Sequence, residues 1–473
     1  MDMILGGESV RRERMLEVHD PFDGSLVDRV PAANTDDVAA AVAAAVDGYR
    51  DNRDLPAHAR VSAMLETARI VEREADDFAV TIAREGSKTI REARKEVSRA
   101  VHTLTLSAEE GRRILGETIP FDSYPGSENR WGYYFRFPIG VIAAITPFND
   151  PLNLVAHKVG PALVAGNSVV VKPATVTPLS ALKLGQALLQ GGFPPRAVSV
   201  ITGRGEEIGD ALVGDPRVRM VSFTGGLEAG RRVAACAGIK KIAMELGSNS
   251  PVIVLDDADL EQAVELTVSG AFWAAGQNCI GVQRVYIEQS VYKEFEQRFA
   301  QRTKQVRTGP KLDESTDMGP LISEAEAVRV ERWVQEAVDA GARLLAGGER
   351  RGAVMDATAL ADVPAGAAVD CREVFGPVVS LYPVADLDEA IERSNAVDFG
   401  LQAGVFTRDI HRAHEAIRRL EVGGVMINDS SDYRFDGMPF GGVKNSGLGR
   451  EGIRFALHEM TEPRVVCFNL PQD

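Results

Sequence analysis

Four apolar runs decide the fold of this 473-residue chain: VIAAI (141–145), SVVVK (168–172), VSVIT (198–202) and RMVSF (219–223). The runs are short, rich in β-branched residues and bounded by Gly, Pro or Asn, and ten to twenty residues of helical pattern separate them. Strands that alternate with helices in this way form a parallel sheet that helices cover on both faces. The sequence therefore predicts an α/β fold.

The same pattern predicts a second α/β region on the C-terminal side. It begins at PVIVL (251–255), continues past VYIEQ (285–289) and reaches GVMIN (424–428). On the N-terminal side, Asn34 is a predicted helix start before an amphipathic helix. Residues 60–116 keep a helical period with many opposite charges three or four apart, which predicts long solvated helices.

The composition excludes several classes of protein. Lys and Arg number 53 against 68 Asp and Glu, so the net charge is −15, and no long basic block is present. This charge argues against a nucleic-acid binder. The 4 cysteines have no CxxC spacing, which makes a disulfide scaffold or a structural zinc site improbable. We expect no metal, a reducing environment and, because no apolar run could span a bilayer, a cytoplasmic protein.

Three segments carry candidate chemistry, and each has a plainer structural interpretation. Gly225 and Gly226 follow a strand and open a helix, where backbone N–H groups can bind phosphate or simply make a turn. Lys172 closes a strand at the edge where ligands of parallel sheets collect. Asn149, between two prolines, is placed either to donate to an oxyanion or to cap the next helix.

Two further residues are ambiguous when considered alone. Cys279 lies in the small-residue segment AAGQNCIG, where a cysteine is more often an inert buried residue than a nucleophile. Glu245 follows an apolar run and precedes LGSN, either as an ordinary surface residue or as a carboxylate beside the glycine-rich end of the first α/β region.

The order of these motifs resembles the aldehyde dehydrogenase superfamily over nearly the whole chain. ITPFN, KPAT, SFTGG and MELGSNS are similar to its N-terminal motifs, and GQNC, REVFGPV and PFGGVKNSGLGREG to its C-terminal ones. The interval from Glu245 to Cys279 also agrees. The resemblance implies an aldehyde dehydrogenase fold, with a Rossmann-like cofactor domain, an α/β catalytic domain and a small β oligomerisation element.

The resemblance implies a role for each catalytic candidate. Cys279 would be the nucleophile that forms a thiohemiacetal and then a thioester. The amide of Asn149 and the backbone N–H of Cys279 would bind the oxyanion. Glu245 would be the general base for the hydrolytic water, and its presence counts against a CoA-acylating relative. An inactive structural homologue is the non-enzyme alternative, which the intact residue set disfavours.

The resemblance also implies NAD or NADP as the cofactor. Lys172 would contact the adenosine ribose and Glu373 the nicotinamide ribose. Thr175 stands where NAD-preferring members often carry a glutamate that repels the 2′-phosphate, so we predict that NADP is accepted and is possibly the preferred form. Gly226 replaces the usual serine of the pyrophosphate turn. The complete set of predicted cofactor residues is Thr146, Pro147, Lys172, Thr175, Gly225, Gly226, Glu373 and Phe375.

The predicted substrate pocket is polar. Its candidate residues are Asp150, Asn153, His157, Asn278, Ile280 and Arg434. These positions resemble the lactaldehyde and phosphonoacetaldehyde dehydrogenase branch, so we expect a short hydroxylated or singly anionic aldehyde such as lactaldehyde or glyceraldehyde, with Arg434 and His157 as anchors. Asp150 would repel a dianion. Phosphonoacetaldehyde, glyceraldehyde-3-phosphate and succinic semialdehyde are the alternatives.

The resemblance divides the chain into three parts. Residues 1–118 and 139–248 would bind NAD(P), 249–454 would form the catalytic domain, and 119–138 with 455–473 would form the oligomerisation element. WGYYFRF and EPRVVCFNL supply its two predicted strands, and exposed strand edges of this kind favour a partner. We expect a homodimer or homotetramer that binds a small-molecule aldehyde, without nucleic acid or membrane partners.

Overall fold

The computed structural model describes residues 1–470, so the last three residues of the predicted oligomerisation element, 471–473, lie outside the described residues. Two large sheets with helices on their faces and one small sheet form the frame. Within residues 1–470, no helix is both long and apolar enough to cross a membrane.

The helices cluster before the first parallel strand and then alternate with strands. They are α1 Thr35–Arg53, α2 Ala57–Arg73, α3 Ala75–Glu85, α4 Ile90–Gly111, α5 Asn153–Val164, α6 Leu179–Gln190, α7 Gly205–Gly214, α8 Leu227–Ala237, α9 Leu260–Phe272, α10 Gln289–Thr303, α11 Glu324–Asp339, α12 Ala368–Cys371, α13 Leu387–Asn395, α14 Ile410–Arg419 and α15 Ile453–Glu459.

The strands are mostly short. They are β1 Met3–Leu5, β2 Glu8–Val10, β3 Met15–His19, β4 Leu26–Pro31, β5 Glu117–Ile119, β6 Arg130–Pro138, β7 Val141–Ile145, β8 Ser168–Lys172, β9 Val198–Val200, β10 Val218–Thr224, β11 Lys241–Glu245, β12 Ser250–Val254, β13 Val282–Glu288, β14 Arg343–Ala346, β15 Arg350–Arg351, β16 Val354–Met355, β17 Thr358–Ala361, β18 Val378–Val384, β19 Phe399–Gly400, β20 Gln402–Phe406, β21 Gly424–Ile427, β22 Val443–Lys444, β23 Gly447–Leu448 and β24 Thr461–Asn469.

The first sheet contains the four runs that decided the fold. Its order is β2-β1-β9-β8-β7-β10-β11-β23, and the five strands from β9 to β11 are parallel. The chain builds outward from β7 to β9 and then returns to the other side of β7 with β10. Strand order therefore reverses between β7 and β10, which is where open α/β sheets place ligands at the carboxyl ends of their strands.

The second and third sheets also agree with the strand predictions. The order of the second is β14-β17-β18-β13-β12-β20-β21, parallel except for β14. The third, β24-β6-β5, joins the two strands predicted from WGYYFRF and EPRVVCFNL in an antiparallel register from Thr461↔Pro138 to Asn469↔Arg130. The division into domains at the residue boundaries given above stays a prediction.

One expectation about the helices was wrong. Residues 60–116 are mostly helical, but the helices are not simply solvated: Glu85, Lys88, Glu92 and Glu96 are all at most 5% exposed. Their charges bind backbone groups and ion-pair partners on neighbouring segments, so that burial leaves them satisfied. The sequence period showed the helices but not which charges face inward.

Candidate active site

A single cavity of about 1200 Å³ opens at the point where strand order reverses, and it reaches across to the second sheet. It is large enough for a dinucleotide together with a small substrate. Most of the residues predicted from the sequence line it. These are Asn149, Glu245 and Cys279, then Thr146, Pro147, Lys172, Thr175, Gly225, Gly226, Glu373 and Phe375, and finally Asp150, Asn278, Ile280 and Arg434.

Cys279 lies on a loop between α9 and β13. Its Sγ is 4.0 Å from Oδ1 of Asn278, so the thiol has only one weak polar contact. Burial, opposed by the charge of Arg434 and reinforced by that of Glu245, raises the pKa of Cys279 to about 12. The thiol therefore carries its proton at neutral pH.

Glu245 ends strand β11 and is 2% exposed. Neither of its carboxylate oxygens has a hydrogen-bond partner among the described residues. Burial and the neighbouring charge of Glu451 raise the pKa of Glu245 well above its usual range, although Arg434 and Lys158 oppose the shift. An unpaired, strongly basic carboxylate in a cavity is suited to accept a proton.

Asn149 follows β7 and lies on the cavity wall. It does not cap the following helix, because the N–H groups of Leu152 and Asn153 at the start of α5 donate to Oε1 of Glu96, at 2.8 and 3.0 Å. The capping alternative for Asn149 is thus taken by another residue. Its amide is left beside Cys279 and Glu245 on the same cavity.

The residues at the other end of the cavity suit a dinucleotide. Gly226 precedes α8, and a Cβ built on it would meet no atom within 4 Å, so the helix N-terminus is open to an anionic group. Burial lowers the pKa of Lys172 to about 8. Glu373 accepts a hydrogen bond from the N–H of Ser248 at 2.8 Å. Its carboxylate lies so close to Gly247 that a Cβ on that residue would clash with it.

Arg434 lies at the end of the cavity next to Glu245. Its side chain is 8% exposed, its Nη2 donates to Glu451 at 3.2 Å, and its guanidinium carbon lies 3.8 Å from the ring centroid of Phe440. Its Nε is buried without a hydrogen-bond partner among the described residues. A buried N–H of a guanidinium that is left free is a ready donor to an anion.

Sequence reasoning missed two cations on this wall, Lys95 and Arg99 of α4. They are four residues apart and therefore share one face of the helix. Nη2 of Arg99 donates to Oδ1 of Asp436 at 2.7 Å, and Nε of Arg434 lies 3.9 Å from the same oxygen. The only sequence signal was the spacing, which many solvated cations in residues 60–116 also show.

Two predicted substrate residues lie behind the cavity wall instead of on it. His157 is 1% exposed and its Nε2 contacts Oδ1 of Asp436 at 2.9 Å, while Asn153 is fully buried and accepts from Thr103 at 2.9 Å. Burial, with the charge of Arg434, lowers the pKa of His157, so it is neutral. The expectation that His157 anchors substrate directly is corrected: α5 turns this residue inward, and it supports Asp436.

The expectation for Asp150 also changes. Asp150 lines the cavity, but Lys88 contacts one of its oxygens and Arg99 lies 3.5 Å from the other. Its charge is therefore balanced locally, and the argument that Asp150 by itself repels a dianion is wrong. The pairing was invisible in the sequence because Lys88 is 62 positions away.

Comparison with known proteins agrees with this geometry. The family model described as "Aldehyde dehydrogenase family" matches residues 8–466. The chain belongs to the aldehyde dehydrogenase family. It is therefore an oxidoreductase that acts on aldehydes, and its α/β fold is that of the family, as the order of the motifs predicted.

Two curated relatives of this aldehyde dehydrogenase are similar over nearly their whole length. Aspartate-semialdehyde dehydrogenase 1 of Pseudomonas canavaninivorans is 49% identical and covers 97% of each chain. The 3-sulfolactaldehyde dehydrogenase of Priestia megaterium is 44% identical and covers 99% of this chain and 98% of the relative.

Two solved structures are similar at a TM-score of 0.97 and 38% identity. One is aldehyde dehydrogenase 21 of Physcomitrella patens in complex with the reaction product succinate, covering 99% of this chain and 98% of the other. The second is the NADP-dependent glyceraldehyde-3-phosphate dehydrogenase of Bacillus halodurans, complexed with NADP, covering 99% of both chains.

Proposed function

We propose that this aldehyde dehydrogenase uses NAD(P)⁺ to oxidise a short, singly anionic aldehyde to the corresponding carboxylic acid. The observation that carries the proposal is that Cys279, the unpaired carboxylate of Glu245 and the guanidinium of Arg434 line one cavity. The first two groups supply a nucleophile and a base, and the third supplies a donor for the charged end of the substrate.

The first step is addition of sulfur to the carbonyl. Cys279 releases its thiol proton to solvent and its Sγ bonds to the aldehyde carbon, while the C=O π electrons move to oxygen, which gives the thiohemiacetal as an oxyanion. The amide of Asn149 and the backbone N–H of Cys279 donate to the oxygen as negative charge develops on it. Donors that are already in place need no reorganisation during the reaction, which is why a fixed pair is effective.

The second step removes the product from sulfur. A bound NAD(P)⁺ would supply the hydride acceptor that is needed to convert the thiohemiacetal on Cys279 into a thioester. Lys172, Gly225, Gly226 and Glu373 are the residues that would hold the cofactor. Glu245 then takes a proton from water as the water attacks the thioester, and the carboxylic acid leaves while sulfur regains its thiol proton.

The charged end of the substrate is assigned to Arg434 and Arg99. Arg99 donates to Oδ1 of Asp436 and Nε of Arg434 lies 3.9 Å from the same oxygen, so the two guanidinium groups are close enough for one carboxylate or sulfonate in the cavity to contact both. Each cation is already paired, Arg434 with Glu451 and Arg99 with Asp436, which favours one negative charge over two. The names of the two curated relatives, an aspartate semialdehyde and a sulfolactaldehyde dehydrogenase, support a substrate that carries one carboxylate or sulfonate group.

Steady-state kinetics on an aldehyde panel test the proposal. We expect NAD(P)H formation with the wild type, the highest kcat/KM for a monoanion such as succinic semialdehyde, and no NAD(P)H with Cys279→Ala. Lactaldehyde tests the hydroxylated alternative. A clear preference for glyceraldehyde-3-phosphate or phosphonoacetaldehyde would overturn the single-charge assignment, and no NAD(P)H with any aldehyde would overturn the function.

The anchoring role has its own test. Arg434→Ala and Arg99→Ala should each raise KM for the anionic aldehyde by about 10- to 100-fold, as expected for a lost hydrogen bond to a charged group. A neutral aldehyde of the same length, such as butanal, should change little. An equal rise for both substrates would show that the arginines shape the cavity without binding the tail.

We propose that the cofactor site accepts NADP. Thr175 lies on the cavity wall and its hydroxyl donates to the carbonyl of Gly203 at 3.2 Å, so no carboxylate at this position opposes a 2′-phosphate. Thr175→Glu should lower kcat/KM for NADP more than for NAD. A wild-type kcat/KM with NADP a hundredfold below that with NAD would contradict the assignment.

We also propose that the chain acts as a homodimer or homotetramer. Trp131, Phe135 and Val465 of the three-stranded sheet are each more than half exposed, at 56%, 52% and 58%. Exposed apolar side chains on a small sheet, whose edge strand β24 has no neighbour on its outer side among the described residues, are suited to association. Light scattering of the purified protein checks this, and a monomer at micromolar concentration would refute it.

A further inference from the structure

Helix α4 carries two buried carboxylates that the proposed chemistry does not use. Glu92 is 5% exposed and Glu96 is 1% exposed, and they are one helical turn apart on the same face. Both accept hydrogen bonds from backbone N–H groups of other segments. The segments that donate these hydrogen bonds are the loop that leads to Cys279 and the segment that follows Asn149.

Glu92 binds the turn that precedes the nucleophile. Its Oε1 accepts from the N–H of Ala274 at 2.8 Å, and its Oε2 accepts from the N–H of Thr89 at 2.8 Å. Ala274 and Ala275 have φ of +50° and +55°, a left-handed conformation that alanine rarely adopts, and Gly276 continues it at +69°. Such a turn persists only where neighbouring groups hold it.

The same turn is fixed on its other side. A Cβ on Gly276 would lie 2.1 Å from the carbonyl oxygen of Gly376, so the backbones are in close contact. Nε2 of Gln277 donates back to the carbonyl of Ala274 at 2.9 Å. Glu92 and the Gly276–Gly376 contact therefore determine together the backbone path that leads to Cys279.

Glu96 binds the segment of the other oxyanion donor. Its Oε1 accepts from the N–H groups of Leu152 and Asn153, and its Oε2 accepts from Nζ of Lys88 at 2.7 Å. Lys88 in turn contacts Asp150, the residue next to Asn149. Glu96 thus holds the start of α5 directly and holds the neighbour of Asn149 through Lys88.

We propose that Glu92 and Glu96 are positioning residues that set the oxyanion hole, and this inference rests on the proposed function. The two predicted donors, the amide of Asn149 and the N–H of Cys279, belong to segments 130 positions apart in the chain. One rigid turn of α4 fixes both segments. Helix α4 suits this role, because the distance between side chains four residues apart on a helix hardly varies.

Carboxylates suit this task better than neutral caps. A single carboxylate has several acceptor positions, so Glu92 joins α4 to the nucleophile loop and Glu96 joins α4 to α5 and Lys88. Hydrogen bonds to a charged acceptor are shorter and stronger than neutral ones. Catalytic donors lose much of their effect when they are misplaced by about 1 Å, so tight positioning has a measurable consequence.

Two reactions of Cys279 separate positioning from general folding. Hydrolysis of p-nitrophenyl acetate passes through an oxyanion and needs neither cofactor nor a charged substrate tail. Alkylation by iodoacetamide attacks a saturated carbon and forms no oxyanion. We compare Glu96→Ala and Glu92→Ala with Glu109→Ala, a substitution of an exposed glutamate on the same helix.

The expected pattern differs between the two variants. Glu96→Ala should lower ester hydrolysis and the kcat of aldehyde oxidation by up to about 10²- to 10³-fold, the range for a lost oxyanion donor, with alkylation within about threefold of wild type. Glu92→Ala should lower all three rates, because it releases the nucleophile loop itself. Glu96→Gln, which keeps Oε1 but loses the bond to Lys88, should recover part of the activity, and Glu109→Ala should match wild type.

Three results would overturn the inference. These are unchanged ester hydrolysis in both alanine variants, an equal loss of ester hydrolysis and alkylation in Glu96→Ala, and no recovery in Glu96→Gln. If Glu96→Ala does not fold, Glu96→Asp replaces it, since it keeps the charge but is one methylene shorter, and the same pattern is required. A wild type without aldehyde-dependent NAD(P)H would instead contradict the proposed function.

Discussion

The polar groups in the two halves of the substrate end of the cavity differ in whether they have hydrogen-bond or ion-pair partners. Around Cys279 and Glu245, the thiol has one weak contact and both carboxylate oxygens lack partners among the described residues. Around Asp436, by contrast, Arg99 and His157 are in contact with the carboxylate and Arg434 lies close to it.

This difference distinguishes groups that take part in the reaction from groups that fix the geometry of the site. A buried polar group without a partner is costly, so it persists where function requires it to be free for a substrate or a proton. A satisfied ion-pair network fixes geometry but has little capacity left to exchange protons. Four predictions test this contrast between unpaired and paired groups.

Removing the free base should have the largest effect. Glu245→Gln should lower steady-state kcat by about 10²- to 10⁴-fold, because a general base contributes that much to hydrolysis of the thioester. The first turnover should survive, so that one equivalent of NAD(P)H per Cys279 appears as a burst in stopped-flow absorbance. A variant that turns over at the wild-type rate would show that Glu245 is not the base.

Removing Asp436 from its ion-pair network should mainly lower the free energy of unfolding. Asp436→Ala leaves Arg99 and His157 without their shared acceptor, and loss of one partner of a buried ion pair costs about 3–5 kcal/mol. Because Arg99 is 31% exposed, we expect the lower end of that range. Denaturant unfolding measures it, with Asp339→Ala, on the surface of α11, as control.

The pH dependence of alkylation tests the state of the thiol. Because burial raises the pKa of Cys279 to about 12, the thiolate fraction should rise about tenfold per pH unit across the whole range from 7 to 10. The rate of iodoacetamide alkylation of the cofactor-free protein should follow that slope. A plateau below pH 9 would mean that the free enzyme already stabilises the thiolate.

The smallest effect concerns Glu373. Burial raises the pKa of Glu373 to about 7, above the ordinary value of 4.5. The proton is therefore bound more tightly in the folded state, so this carboxyl favours folding fully below pH 4.5 and loses that contribution as pH rises through 7.

The Glu373→Gln variant isolates that contribution. Its free energy of unfolding, relative to wild type, should be higher at pH 8 than at pH 5 by about 1–2 kcal/mol. Thermal midpoints at the two pH values check the sign. Equal differences at both pH values would mean that Glu373 is ionised in the folded protein at pH 5 as well.

Much of the fold was predictable because its signals are local. The runs at 141–145 and 168–172 coincide with β7 and β8, and Asn34 caps α1 through its side chain. A β-branched run or an N-cap acts over a few residues, so a single sequence is enough to show it. Most of the residues that the resemblance to a known family singled out then line the cavity.

The missed residues depend on contacts between distant segments. Arg99 looked like one more cation on a solvated helix, and His157 looked like an exposed anchor. In the structure Arg99 faces the cavity and His157 is 1% exposed, since α4, α5 and Asp436 pack together. Which face of a helix is buried depends on what packs against it, and here that partner lies more than 270 positions away.

The sequence by itself determined the α/β fold, the family and the identity of Cys279, Glu245 and Asn149 as candidates, because those signals are short motifs. Tertiary structure alone decided which charges are free and which are paired. Glu245 is unpaired, Asp150 is neutralised by Lys88, and Glu92 and Glu96 bind two segments far apart in the chain. The physical reason is that burial and pairing set the cost and the reactivity of a charge, and both arise only when distant segments pack.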